Sequence, residues 1–109
     1  MAAAKLIVMY PPPKDLAAFE RAYSGEHIPM AAPIFQAAGA TKVVLSKATG
    51  SPAGSPAFHR IAEIHFPSLT ALQACAASKV GQDALAHARE ISTGGAPVVM
   101  IAEEETVNF

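Results

Sequence analysis

Tryptophan is absent, cysteine occurs once, and charge is sparse: 16% of the 109 residues are charged against 51% hydrophobic. The lone thiol, Cys75, excludes an internal disulfide and a thiolate metal cluster within one chain, and it reads as a small helix residue. Eight scattered cations against nine acids leave a net charge of −1. There is no basic stripe for nucleic acid and no basic amphipathic helix for a membrane surface. The apolar runs are too short to cross a bilayer, and the run after Met-Ala-Ala-Ala-Lys5 is too short for a signal peptide, so a cytoplasmic setting is expected. Phosphate-binding glycine loops, a nucleophile elbow, haem-attachment motifs and the close pairs His-x-His or His-x-x-x-His are all missing. The expectation is no metal and no cofactor, with an axial haem histidine left as an open alternative.

What is present fits one domain over residues 1–109, near the lower end of the usual size range. Much of its apolar content is alanine, which packs closely but buries little area. Such a domain commonly completes its core against a second copy, so a homodimer is expected.

The apolar run Lys5–Tyr10 predicts a strand ended by Pro11–Pro13, buried on both faces and central in its sheet. Asp15 is placed to cap a helix over 16–27, followed by a shorter helical piece from Pro29 to Ala38 that stops at Gly39. Residues 41–47 form a second strand, half-buried or at an edge, and the turn-rich loop 50–56 leads to a third strand over 58–66. Ser68 caps a second helical region with a break near Ser78–Gly81, Thr93-Gly94-Gly95 ends it, and residues 97–102 make the last strand. Glu103–Glu105 read as a solvated strand end. The order βαββαβ predicts an α+β, ferredoxin-like fold: a four-stranded antiparallel sheet with both helical regions on one face. Ile7, Met9, Val44 and Val99 are among the residues expected on the other face, which a partner sheet would cover.

One stretch concentrates the chemistry. On a helix, Leu16, Phe19, Tyr23, His27 and Met30 share a side. Ile28 precedes Pro29, and a residue before proline is pushed out of the α region, so the helix should stop or kink just after His27. A titratable ring at the end of an apolar stripe suits proton transfer, and apolar surroundings favour its neutral, basic form. Tyr23 could orient a carbonyl or donate to an enolate. The competing explanation is an imidazole that caps the helix end or bonds a backbone carbonyl within the core. Glu63 and His65 share a strand face roughly 7 Å apart, whereas His59 lies about 20 Å from His65 on that same face, too far for a shared metal. His87 falls in register with Val80 and Ile91 and reads as half-buried packing.

Tyr10-Pro-Pro-Pro, Phe19, Tyr23-x-x-x-His27-x-Pro29-Met30, Ala62-Glu-Ile-His-Phe66, Ala77–Gln82, Thr93-Gly-Gly95 and Glu103-Glu104 together resemble EthD-like proteins, in the family's order and over nearly the whole chain. The resemblance implies a dimeric α+β barrel, two ferredoxin-like sheets face to face, with a pocket between sheet and helices. It implies His27 and Tyr23 as catalytic candidates, and Tyr10, Phe19, Met30 and His65 as substrate contacts. The wider superfamily includes cofactor-free monooxygenases, polyketide cyclases, muconolactone-type isomerases and haem enzymes. EthD-like proteins themselves resemble components of ether-degradation operons and fungal aromatic-polyketide dehydratases and decarboxylases. Two departures stand out: His65 replaces a frequent aromatic, and His87 lies where an acidic residue is often near. The function expected is a small cofactor-independent enzyme moving protons on an apolar carbonyl-bearing or aromatic molecule. The alternative is a non-catalytic dimer that binds such a ligand.

Overall fold

Alternation sets the first strand. In the computed structural model, which describes residues 2–109, β1 (Ala4–Tyr10) buries Ala4, Leu6, Val8 and Tyr10 and leaves Lys5, Ile7 and Met9 half-buried on the other side. It pairs antiparallel with β3 (Arg60–Phe66) and with β4 (Val98–Glu103), and β2 (Lys42–Lys47) completes the order β2-β3-β1-β4. This is the α+β, ferredoxin-like sheet, with β2 at an edge as expected. Contrary to expectation, β1 has only one face covered within the chain.

Asp15 caps α1 (Leu16–Ala22), its carboxylate accepting from the Ala18 N–H at 3.0 Å. The helix does not stop after His27. It widens into a π turn, Tyr23–His27, and continues as α2 (Ile28–Ala37) until Gly39, at φ +100°, ends it. Ile28 stays helical at φ −63°, ψ −45°, despite preceding Pro29, and its N–H reaches back to the Tyr23 carbonyl. Pro29 has no N–H to offer, and the wider turn absorbs the mismatch that would break a regular helix. It also changes which residues face inward. Phe19, Tyr23, His27, Ala31 and Phe35 are buried, whereas Leu16 and Met30, expected on that face, are 53% and 37% exposed.

Ser68 caps α3 (Leu69–Ala77), and Ser78, in extended conformation, separates it from α4 (Lys79–Ile91). The Ser78 hydroxyl accepts from the Gly81 N–H at 3.1 Å and donates to the Cys75 carbonyl at 2.6 Å. That junction explains Gly81: a Cβ there would overlap the Cys75 carbonyl oxygen. Gly81→Ala is therefore expected to cost about 2 kcal/mol in urea unfolding, because a backbone atom must move. Gly94 has the same reason, since the loop after α4 lies directly on Pro12.

The buried side chains form one cluster between the sheet and the helices. Of the residues expected on the uncovered face, Ile7, Met9 and Val44 lie there, but Val99 pairs with Val8 and so points to the helix side. It is nonetheless 40% exposed, because β4 is an edge strand that the helices do not reach. His59 also departs from the expected face. It precedes β3, and its ring turns to Glu20 at the sheet end, away from Glu63 and His65. Glu104 is no solvated strand end: it lies 2.8 Å from His65 on the uncovered face. Among the described residues no helix is long and apolar enough to cross a membrane.

Candidate functional site

Residues four apart on a helix with one widened turn stack their rings in a row. Phe19 and Tyr23 lie 5.5 Å apart and nearly parallel, Tyr23 and His27 6.2 Å apart, and His27 and His87 of α4 5.1 Å apart. Tyr10, at the end of β1, meets Phe19 and Tyr23 edge-on. The His27 Nδ1 and His87 Nδ1 atoms are 2.8 Å apart, a hydrogen bond in which one ring carries the proton and the other accepts it.

Beyond His27 lies a cavity between α2, α4 and the sheet, bordered by Val8, Tyr10, Phe35, Val43, Leu85 and Ala88 among others. About 20 Å³ of it is open to the centre of a water-sized sphere, room for about one water. Tyr10 supplies the one hydroxyl in its lining and His27 the one ionisable nitrogen base. His87 faces the other way, into an open groove on the outer surface bordered by Lys14, Asp15, Glu26 and Glu90.

Burial, with a smaller contribution from His87 beside it, holds the His27 imidazole neutral, lowering its pKa from 6.5 to about 4. Burial likewise raises the Tyr23 phenol to about 12 and the Tyr10 phenol further, so both stay protonated. The Tyr23 hydroxyl is buried without a hydrogen-bond partner among the described residues. Arg60 lies over the Tyr23 ring, its Cζ 5.1 Å from the centroid. Its Nε and Nη2 donate to Glu20 at 3.1 and 2.7 Å, and His59 Nε2 lies 3.1 Å from the same carboxylate. The Arg60 hydrogen bonds hold the Glu20 carboxyl down at about 2, with His59 adding to the effect. This clamp closes the far end of the ring stack.

The structure thus brings His27 and Tyr10 to the cavity and places Tyr23 and Phe19 in the stack behind His27. Met30 is turned outward. His65 lies on the opposite face of the sheet, since it alternates with Ile64 and Phe66, which face the helices. There it pairs with Glu104, beside Lys5, which donates to Glu63 at 2.6 Å. Sequence reasoning did not connect His87, Glu20 or Arg60 to the site. The available signal was alternation: Arg60 shares a strand face with Ala62 and Ile64, so it points to the helices. Two imidazoles alone make a poor metal site, and no group of three His, Cys, Asp or Glu side chains that could hold a metal ion occurs among the described residues.

Residues 11–90 match the family described as the EthD domain. The chain is 27% identical over 103 residues to an uncharacterized 11.0 kDa protein of the thcB-thcC intergenic region of Rhodococcus erythropolis, covering 94% of this chain and 96% of that one. The crystal structure of an ethyl tert-butyl ether D (EthD) family protein from Bacillus halodurans superposes with a TM-score of 0.84 at 27% identity, covering 94% of this chain and 99% of that one. A dimeric ferredoxin-like protein of unknown function from Jannaschia sp. matches with a TM-score of 0.73 at 18% identity, covering 94% and 99%.

Proposed function

The chain belongs to the EthD domain family, and from that premise we propose that it is a homodimeric, cytoplasmic, cofactor-independent enzyme that moves protons on an apolar carbonyl-bearing or aromatic small molecule, of the kind met in ether or aromatic-polyketide breakdown. The observation that carries this reading is a neutral imidazole at the wall of an apolar cavity, with one ring nitrogen engaged and the other left for a ligand. His27 takes a proton from carbon or oxygen, and the Tyr10 hydroxyl donates to the carbonyl oxygen as negative charge develops there. Isomerisation, dehydration and cofactor-free oxidation all begin with such a step, and decarboxylation ends on its reverse, protonation of the enolate left when CO2 departs. A ring-sized substrate enters by parting α2 from α4, which line the cavity with four alanines, Ala31, Ala32, Ala84 and Ala88, beside Ile28, Phe35 and Leu85.

The dimer forms through the uncovered sheet face. Ile7, Met9, Val44 and Met100 give that face its apolar surface, and two of its ionisable pairs are already matched, Lys5 with Glu63 and His65 with Glu104. Lys42, on the same face at the start of the edge strand β2, is exposed, so a second copy covers the apolar centre while this charge stays at the margin.

Deuterium incorporation beside the carbonyl of an aryl ketone such as acetophenone, followed in D2O, reports proton abstraction without knowledge of the natural substrate. The protein is expected to accelerate it, and His27→Gln to remove about 100-fold of that acceleration. The almost wholly apolar lining also favours the second reading, a dimer that only holds its ligand. Ketone binding that shifts the His27 ring signals with no gain in exchange decides for it.

A further inference from the structure

The two ends of the His27–His87 contact meet opposite surroundings. One proton lies between the two Nδ1 atoms, and the ring that owns it determines what both Nε2 atoms are. If His27 owns it, the His27 Nε2 is a bare lone pair and the His87 Nε2 carries a hydrogen. If His87 owns it, both are reversed. Tyr10 is the other polar side chain in the lining of that cavity, and its phenol, kept protonated by burial, can donate to a lone pair there. On the side of His87, three carboxylates, Asp15 and Glu26 from the α1 cap and the π turn and Glu90 from α4, border the groove with Lys14 as their one cationic neighbour. Acceptors there suit an N–H. A donor in the cavity and carboxylates around the groove accommodate the same state: lone pair toward the cavity, N–H toward the groove.

We propose that His87 is the positioning residue of this site: by accepting the Nδ1–H of His27 it makes the His27 Nε2 the base, and it carries the abstracted proton between the closed cavity and the outer groove. This rests on the reading of His27 as the base. The steps balance as follows. The substrate C–H proton passes to the His27 Nε2 and its electron pair stays on the substrate as the enolate. The His27 Nδ1 proton passes to the His87 Nδ1, and the His87 Nε2 proton passes to water in the groove. Reprotonation of the substrate, at the same or another carbon, runs the three transfers backward and restores both rings.

Nitrogen-15 NMR of the labelled protein at pH 7 tests this directly. The expected result is a protonated Nδ1 and bare Nε2 on His27, with the reverse on His87. In His87→Phe, His27 is expected to shift to the Nε2–H form. In His87→Gln, whose amide oxygen can still accept, the His27 form is expected to persist. A protonated His27 Nε2 in the unaltered protein overturns the proposal, as does a His27 form indifferent to His87→Phe. The spectrum of the unaltered protein suffices if a variant fails to fold. Should the ring forms be as expected while His27→Gln leaves exchange unchanged, the base reading fails and the positioning of His27 by His87 stands.

Discussion

Acidification from pH 6.5 to 4 is expected to remove about 3 kcal/mol of folding stability through one side chain. Unfolded, the His27 imidazole binds its proton near its ordinary value of 6.5; folded, it does so only near 4. Between those values the unfolded chain holds more protons, so acid favours unfolding. Stability is complete above about 6.5, falls by at most about 1.4 kcal/mol per pH unit, and stops falling on this account below 4. The cause is burial: His27 is 6% exposed, and an imidazolium there would sit beside His87 among apolar walls. His27→Phe keeps a ring in the stack and removes the titration, so its stability is expected to be flat across that window. Glu20 acts lower, since its depressed carboxyl loses its contribution only as pH falls from 4.5 toward 2. Urea unfolding at fixed protein concentration, at pH 7 and pH 5, separates the two. Parallel losses in both proteins would show that His27 charges without penalty.

Met100→Lys is expected to weaken dimerisation by about 10³-fold while leaving the folded subunit unchanged within about 0.5 kcal/mol. Met100 lies opposite Ile7 on the uncovered sheet face and is 44% exposed in the single chain, so a lysine there is solvated and harmless. In a face-to-face dimer the symmetry enters the same ammonium twice, and each must leave water for an apolar contact. Val80→Lys is the comparison: Val80 is 53% exposed on the outer helical layer, and its replacement is expected to leave association alone. Sedimentation velocity over a dilution series reads both. A Met100→Lys protein that associates as tightly as the original would place the interface elsewhere.

Much of this architecture is legible in local chemistry. The prolines after Tyr10, the caps Asp15 and Ser68, the break at Ser78 and the stop at Gly39 each act within a few residues. The period-two burial of β1 and β3 follows from their alternation, although alternation alone does not say which face the helices cover. The site was legible only by halves. His27 announces itself as a polar ring in an apolar row, but His87 lies sixty residues away on a helix whose packing partner the sequence does not name. Glu20 and Arg60 are similarly separated, by forty residues. Met30 shares the inward side only of a regular helix, and the wider turn at Tyr23–His27 rotates it outward. Alternation alone leaves open whether His65 faces the pocket or a partner sheet, and burial of Ile64 and Phe66 under the helices puts it on the uncovered side.

The π turn at Tyr23–His27 has a consequence for comparing this chain with its relatives. It holds one residue more than an α turn requires, so the helix before it and the helix after it keep separate rotational phases. A homologue lacking that residue can preserve every hydrogen bond of both flanks and still turn Ala31 and Phe35 away from the core. The gap in such an alignment belongs at the exposed Gly25, where a side chain would meet nothing, and not in the loops at either end of the helix. Placed in the loop after the helix, it would match Phe19 correctly and misassign every inward residue from His27 onward, the cavity wall included; placed before the helix, it would misassign Phe19 instead.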